Sequence, residues 1–146
     1  MDAQHLYRIV LIDDSRMARL GLREQLNRTA EFRIVGEAAS IAEGLELIER
    51  LNPDLVLLDI SLPDGSGVQA CCRLVAGRPD TRVLILSVYD DPAVIREAIA
   101  AGAQGYVLKD TPVAMWRNAM RRAAGSGVVL GPQLIGLVLM EVREMV

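Results

Sequence analysis

Short runs of aliphatic residues alternate along this chain with stretches whose apolar residues recur at helical spacing. The runs predict five β-strands, at Arg8–Ile12, Phe32–Ala38, Leu55–Asp59, Arg82–Leu86 and Gly105–Leu108. The first, third and fourth runs are apolar at consecutive positions, which is typical of strands buried on both faces of a parallel sheet. The second run carries Arg33 and Glu37, and this polarity favours a place at the sheet edge.

A helical pattern follows each strand. Ser15 can cap a first helix, whose apolar residues are expected to be Met17, Leu20, Leu22 and Leu26. Ser40 can cap a second helix that ends before Pro53, and further helices are predicted at about Val68–Ala76, Pro92–Ala101 and Pro112–Gly125. Five strand–helix units with right-handed crossovers predict an α/β fold, a flavodoxin-like (βα)5 doubly wound parallel sheet of strand order 2-1-3-4-5.

The composition is that of a globular domain. The 146 residues are 51% hydrophobic and 24% charged, enough for one core and too apolar for a disordered chain. A formal net charge of −3 argues against a domain-wide nucleic-acid surface. Adjacent Cys71 and Cys72 lack the spacing of a metal or redox motif and indicate a reducing compartment. With no signal peptide and no apolar stretch long enough for a bilayer, the sequence predicts a cytoplasmic protein without a membrane partner.

Chemistry-bearing residues collect at the carboxyl ends of the predicted strands. The first strand is followed by Asp13 and Asp14, the third ends in Asp59, the fourth is followed by Ser87 and the fifth by Lys109. In the order 2-1-3-4-5 these four strands are contiguous, so their ends form one crevice where open α/β sheets bind ligands. An isolated pair of aspartates more often belongs to a turn or a helix cap. With Asp59, Ser87 and Lys109 at neighbouring strand ends, the pair indicates a binding site.

Three carboxylates in one crevice repel each other, by roughly 3 kcal/mol for two of them about 5 Å apart at an effective dielectric near 20. Lys109 offsets part of this repulsion, and a hard divalent cation with oxygen ligands, Mg²⁺, would offset the rest. Asp59 lies centrally, before an exposed turn, and can attack phosphorus to give an acyl phosphate. Mg²⁺ and Lys109 would then neutralise the phosphoryl oxygens, and Ser87 could bond to one of them.

Four motifs, "LIDDS", "LVLLDISLPDGSG", "VLILSVYDD" and "GAQGYVLKDTP", cover roughly residues 7–125. In order and spacing the chain resembles a response-regulator receiver domain of two-component signalling, in particular the NarL/FixJ (LuxR-type) subfamily. The resemblance implies that Asp59 accepts a phosphoryl group from a sensor histidine kinase. It implies a Mg²⁺ site made of Asp13, Asp14, Asp59 and the backbone carbonyl of Ser61, a phosphate contact from Lys109, and a switch pair, Ser87 and Tyr106.

Two departures accompany the resemblance. Asp110 and Thr111 separate Lys109 from Pro112, and Val88 is larger than the small residue that many receivers have there. The resemblance further implies autocatalytic phosphotransfer and dephosphorylation, with no turnover of an external metabolite, so the domain is not expected to be an enzyme in that sense. A homodimer is the expected assembly.

The domain organisation is expected to be a receiver domain over residues 1–127 and a linker helix over residues 128–146, starting near Pro132. In similar regulators such a helix leads to a helix-turn-helix domain, so DNA would be contacted only through a domain absent from this chain. The sequence leaves open whether the chain is a piece of a transcription factor or is naturally short.

Two other classes of protein also place an aspartate or a phosphate at such a strand end. A haloacid-dehalogenase-type phosphatase wants a second acid two residues after its nucleophile, where this chain has Ser61. A flavodoxin-like cofactor binder wants a loop rich in Ser, Thr and Gly after the first strand, where "DDSRM" would repel a phosphate in the absence of a metal.

Overall fold

The computed structural model describes residues 6–125 and 129–130. Strands and helices alternate along them: β1 (Tyr7–Ile12), α1 (Arg16–Leu26), β2 (Phe32–Ala38), α2 (Ile41–Leu51), β3 (Leu55–Asp59), β4 (Ser61–Leu62), β5 (Gly65–Ser66), α3 (Gly67–Gly77), β6 (Arg82–Ser87), α4 (Pro92–Ala100), β7 (Gly105–Leu108), α5 (Val113–Ala124) and β8 (Val129–Leu130). The five longer strands and five helices agree with the predicted segments to within about a residue at each end.

The main sheet is parallel, with the order β2-β1-β3-β6-β7-β8. Its first five strands have the order that was predicted as 2-1-3-4-5, so the flavodoxin-like fold is confirmed. Two features were not predicted. Val129 and Leu130 pair with Gly105 and Tyr106 as an additional edge strand, and β4 and β5 form a small antiparallel hairpin outside the sheet.

Both faces of the sheet are buried. Alternate residues of the central strands, among them Val10, Val56 and Ile85, pack against α2, α3 and α4, while their neighbours, among them Leu11, Leu57 and Leu84, pack against α1 and α5. Consecutive apolar positions are therefore required, because one helical layer covers each face. As predicted from Arg33 and Glu37, β2 is an edge strand. Arg33 is exposed and Glu37 is half-buried.

The predicted apolar face of α1 is wrong in part. Leu26 is buried and Leu22 is half-buried, but Met17 is 84% exposed and Leu20 is 52% exposed. The reason is geometric: a helix turns by about 100° per residue, which places Met17 and Leu20 on the side opposite Leu22. The four apolar residues were taken for one face although they form two, Met17 with Leu20 and Leu22 with Leu26.

The ends of the helices follow the expected capping chemistry. Ser15 and Ser40 accept hydrogen bonds from backbone N–H groups in the first turns of α1 and α2, and Asp91 does the same for α4. No helix among the described residues is long and apolar enough to cross a membrane. The predicted linker helix from about Pro132 lies outside the described residues, and the predicted domain boundary after residue 127 stays a prediction.

Candidate functional site

The sheet brings the predicted acidic residues together at its carboxyl edge. Asp13 and Asp59 are buried and Asp14 is exposed, and one carboxylate oxygen from each lies within 4.8 Å of the others. Since β1 and β3 are adjacent and in register, their ends are at the same level. The loop after β1 and the last residue of β3 therefore supply a compact set of oxygen atoms.

Lys109 enters the same site from the end of β7. Its ammonium nitrogen lies 2.7 Å from Asp13 Oδ2 and 3.0 Å from Asp59 Oδ2, so it bridges the two buried carboxylates. Burial of Lys109 lowers its pKa, but the bonds to Asp13 and Asp59 together outweigh burial, and the pKa is raised. The side chain is therefore a permanent cation at neutral pH.

The carboxyl group of Asp59 has opposing neighbours. Burial raises its pKa, bonds from Lys109 and from the Ser61 N–H lower it, and the charge of Asp13 raises it again, with a net rise. The Ser61 N–H donates to Asp59 Oδ1 at 3.2 Å. Each oxygen of Asp59 thus has its own donor, which fixes the orientation of the carboxylate.

The loop that carries Asp13 is held by its backbone and by an arginine. Asp13 Oδ1 accepts the Ser15 N–H at 2.9 Å, and the guanidinium of Arg19 donates to the Asp13 carbonyl oxygen at 2.6 Å. Arg19 is in turn 3.5 Å from Glu37 on β2. Arg19 was not predicted from the sequence, although it lies four residues after the capping Ser15, where one helical turn brings it back to the loop.

Ser87 and Tyr106 lie beside each other on β6 and β7, and both are fully buried. They contact the same residue, because Ser87 Oγ accepts the Tyr89 N–H at 2.9 Å and the Tyr106 hydroxyl donates to the Tyr89 carbonyl at 2.8 Å. Burial raises the pKa of Tyr106, against a smaller lowering by Ser87. The ring of Tyr106 therefore occupies an inward position.

Open space lies on two sides of the site. A cavity of about 180 Å³ between α1 and α5 is lined by Asp13 and Lys109 together with Leu22 and Trp116. On the other side Val88 is 70% exposed, and it borders a shallow depression with Lys109. Val88 therefore projects from the surface beside Lys109.

The acidic cluster fits a hard divalent cation. Its side-chain donors are all oxygen, which suits Mg²⁺ and disfavours softer metals. Asp13 Oδ2 is buried and accepts no well-directed hydrogen bond from the described residues, although Lys109 is close enough for an ion pair. Three carboxylates against one ammonium leave an excess of two negative charges, which a divalent ion would balance.

Comparison with known proteins agrees with this geometry. The sequence profile of the response regulator receiver domain matches residues 9–121. The DNA-binding transcriptional activator DevR/DosR of Mycobacterium tuberculosis is 41% identical over 105 residues, 72% of this chain and 48% of that protein. The nitrate/nitrite response regulator protein NarL of Escherichia coli is 32% identical over 143 residues, 98% of this chain and 66% of that protein.

Solved structures give the same answer. A LuxR-family two-component response regulator from Aurantimonas sp. SI85-9A1 superposes with a TM-score of 0.90 and 28% identity, over 94% of this chain and 99% of that chain. The chain belongs to the response regulator receiver domain family, in its NarL- and LuxR-type branch. It spans about half to two thirds of the length of the curated relatives it matches.

This membership decides between the classes of protein that the sequence left open. Receiver domains are phosphorylation-activated signalling domains, so the phosphatase and the flavodoxin-like cofactor binder are set aside. The residues that the sequence singled out, Asp13, Asp14, Asp59, Ser87 and Lys109, all lie at one edge of the sheet. Their individual roles are proposed below.

Proposed function

We propose that this domain accepts a phosphoryl group on Asp59 from a sensor histidine kinase, with Mg²⁺ held by Asp13, Asp14, Asp59 and the backbone carbonyl of Ser61. The observation that carries the proposal is the acidic cluster bridged by Lys109, at 2.7 Å from Asp13 and 3.0 Å from Asp59. A cation placed there neutralises charge on both the resting carboxylates and an incoming phosphoryl group.

The transfer step follows from these contacts. A carboxylate oxygen of Asp59 attacks the phosphorus of a phosphohistidine, the P–N bond breaks, and its electron pair goes to the imidazole nitrogen. Mg²⁺ supplies charge neutralisation to the phosphoryl oxygens when it is bound. Lys109 contacts a phosphoryl oxygen, and the Ser61 N–H keeps the carboxylate oriented. In the separate dephosphorylation step, water attacks the phosphorus, the P–O bond to Asp59 breaks, inorganic phosphate leaves, and the Asp59 carboxylate is restored. No external metabolite is turned over.

The switch is proposed to run through Tyr89. Ser87 and Tyr106 both bond to its backbone, one to the N–H and the other to the carbonyl. If the Ser87 side chain moves to donate its hydroxyl to a phosphoryl oxygen on Asp59, the Oγ that accepts the Tyr89 N–H moves with it, and the Tyr89 carbonyl carries that change to Tyr106. The phosphorylated state then differs in the surface around β7 and α4, a two-state equilibrium biased by local charge.

The output is proposed at the level of the whole protein. The curated relatives are transcriptional regulators longer than this chain. By analogy, phosphorylation would promote a homodimer in the cytoplasm, and DNA would be bound only through a C-terminal helix-turn-helix domain reached by a linker helix over residues 128–146.

Acetyl phosphate tests the phosphoacceptor. With Mg²⁺ the protein is expected to gain one phosphoryl group by intact mass, and Asp59→Asn is expected to gain none. Asp80→Asn is the matched control, because Asp80 is an exposed aspartate in the turn before β6, at the opposite edge of the sheet. Full labelling of Asp59→Asn would place the acceptor elsewhere. Omission of Mg²⁺ is expected to abolish labelling of the wild-type protein.

A further inference from the structure

The β4–β5 hairpin is fixed at its tip by one side chain, Asp64. Asp64 Oδ1 accepts the Ile41 N–H at 2.8 Å, and Oδ2 accepts the Ala42 N–H at 3.0 Å. These are the first two N–H groups of α2, which have no partner inside the helix. A residue 23 positions away in sequence therefore ties the hairpin to the helix.

This clamp is additional to an ordinary helix cap. Ser40, the residue before α2, already accepts the Glu43 N–H at 3.2 Å. The bonds from Ile41 and Ala42 lower the pKa of Asp64, because they favour its ionised form beside the positive end of the helix. α2 is thus capped twice, locally by Ser40 and at long range by Asp64, and only the second cap joins it to another element.

The base of the same hairpin is attached to the phosphoacceptor strand. Ser61 and Ser66 pair across the hairpin, and the Gly67 N–H donates to the Ile60 carbonyl at 2.9 Å. The Ser61 N–H bonds to Asp59 Oδ1. The hairpin is therefore held at both ends, at its base by the bond to Asp59 and at its tip by the bonds that Asp64 accepts from α2. Ser61 lies in the chain between Asp59 and Asp64.

We propose that Asp64 is a positioning residue for the metal site: by clamping the hairpin to α2, it holds the backbone of Ser61 where its carbonyl binds Mg²⁺ and its N–H orients Asp59. The inference rests on the proposed function, because it assumes that Mg²⁺ binds at the acidic cluster. Outer contacts that orient metal ligands typically change metal affinity by about 10- to 100-fold when removed.

The test compares two caps of the same helix. Mg²⁺ is titrated by calorimetry into the wild-type protein, Asp64→Ala, Asp64→Asn and Ser40→Ala, with circular dichroism to establish folding. Asp64→Ala is expected to weaken Mg²⁺ binding by about tenfold. Ser40→Ala removes the other cap of α2 without touching the hairpin, and its dissociation constant is expected to stay within about twofold of wild type. Asp64→Asn keeps one acceptor oxygen and should be intermediate, and it replaces Asp64→Ala if that variant does not fold.

Each outcome bears on the inference. Weaker binding in the Asp64 variants alone supports positioning. Equal weakening in Ser40→Ala and the Asp64 variants would mean that only the stability of α2 matters, and unchanged binding in all variants would mean that the clamp is irrelevant, so either result overturns the inference while leaving the metal site intact. Absence of Mg²⁺ binding by the wild-type protein would overturn the proposed metal site, and the inference with it.

Discussion

Lys109 is the only lysine in a chain with 16 basic residues, all the others being arginines. Its place between Asp13 and Asp59 suits a compact point charge, because an ammonium group fits between two carboxylates that a planar guanidinium would have to spread apart. One lysine against three aspartates leaves the site strained by repulsion in the absence of a metal. The charge of Lys109 is therefore expected to affect both the stability of the domain and the proposed phosphoryl transfer.

Replacement of Lys109 by Met is expected to lower the free energy of unfolding in EDTA by about 1–2 kcal/mol, a value reduced from that of a fully buried pair because the lysine is partly exposed. Mg²⁺ should then raise the melting temperature of Lys109→Met more than that of the wild type, since the ion replaces the lost positive charge. Lys109→Arg is the control that keeps the charge. Equal Mg²⁺ effects on wild type and Lys109→Met would contradict this account.

The two adjacent cysteines are expected to differ sharply in reactivity. Burial, with a smaller contribution from Cys72, raises the pKa of Cys71 to about 12, whereas Cys72 is exposed. Because the thiolate is the reactive form, a thiol reagent at pH 8 should modify one cysteine of the folded protein and two in denaturant. Cys72→Ser should abolish native labelling and Cys71→Ser should preserve it. Labelling of folded Cys72→Ser would mean that Cys71 becomes accessible to the reagent through opening of the packing between α3 and the sheet.

Site residues could be predicted from the sequence where strand ends reveal them. Asp13, Asp59 and Lys109 each terminate or follow an aliphatic run, and the order of the strands brings them together. Asp64 could not be found this way, because its side chain bonds to backbone N–H groups of a segment more than 20 residues away. No periodicity or motif marks a bond that exists only once the loops are folded.

At the scale of elements, periodicity locates the long strands and helices and fails for the shortest ones. β4, β5 and β8 have two residues each, too few to show alternation, and pairing with neighbouring backbone alone defines them. The prediction of the buried face of α1 was wrong for another reason, because Met17 and Leu20 are apolar but exposed. Apolar character predicts burial only when the residue lies on the helical face that packs against the core.

The junction of the hairpin and α3 is the tightest backbone contact near the site. A Cβ atom on Gly67 would lie 2.4 Å from the Asp59 carbonyl oxygen and 2.7 Å from the Ile60 Cα, both of them backbone atoms that cannot yield cheaply. Glycine is therefore required here for close approach. The contact ties the start of α3 directly to the backbone of Asp59, the proposed phosphoacceptor.

Gly67→Ala is expected to reduce the free energy of unfolding by about 1–3 kcal/mol, the range for overpacking a well-packed site. It should also slow labelling by acetyl phosphate, because the backbone of Asp59 must shift. Gly77→Ala, at the other end of α3, meets no atom within 4 Å and should leave both quantities unchanged or slightly raise stability. Urea denaturation and labelling kinetics measure the two effects. Indistinguishable behaviour of the two variants would contradict the close-approach argument.

At the scale of the whole molecule, the parallel arrangement of the strands gathers the site residues at the carboxyl ends of the strands. Every strand that carries a site residue points its carboxyl terminus the same way. The proposed switch residues are Ser87 on β6, which neighbours β3, and Tyr106 on β7, which neighbours β8. We expect a change at Asp59 to reach the outer part of the sheet through Tyr89, which both Ser87 and Tyr106 contact. The surface around α4, β7 and α5 is where we expect that change to appear.

Beryllofluoride with Mg²⁺, which mimics the phosphoryl group, is expected to increase self-association of the wild-type protein and to have no effect on Asp59→Asn. Sedimentation velocity measures the association. A chain ending at Leu130 should be compared with the full chain, because it removes the apolar segment over residues 131–146 but keeps β8 in the sheet. If neither chain changes mass or shape, and the exposure of Tyr106 is also unaltered, the proposed switch is wrong for this protein.

The additional edge strand β8 sets the direction of the chain at Val129 and Leu130. It runs parallel to β7, and Leu130 lies opposite Tyr106, two residues before the end of β7 at Leu108. At about 3.3 Å per residue of strand, a segment joined to Leu130 begins only about 7 Å below the level where β7 ends. A tether attached there thus starts near the level of the strand ends that hold Asp59, three strands further along the sheet.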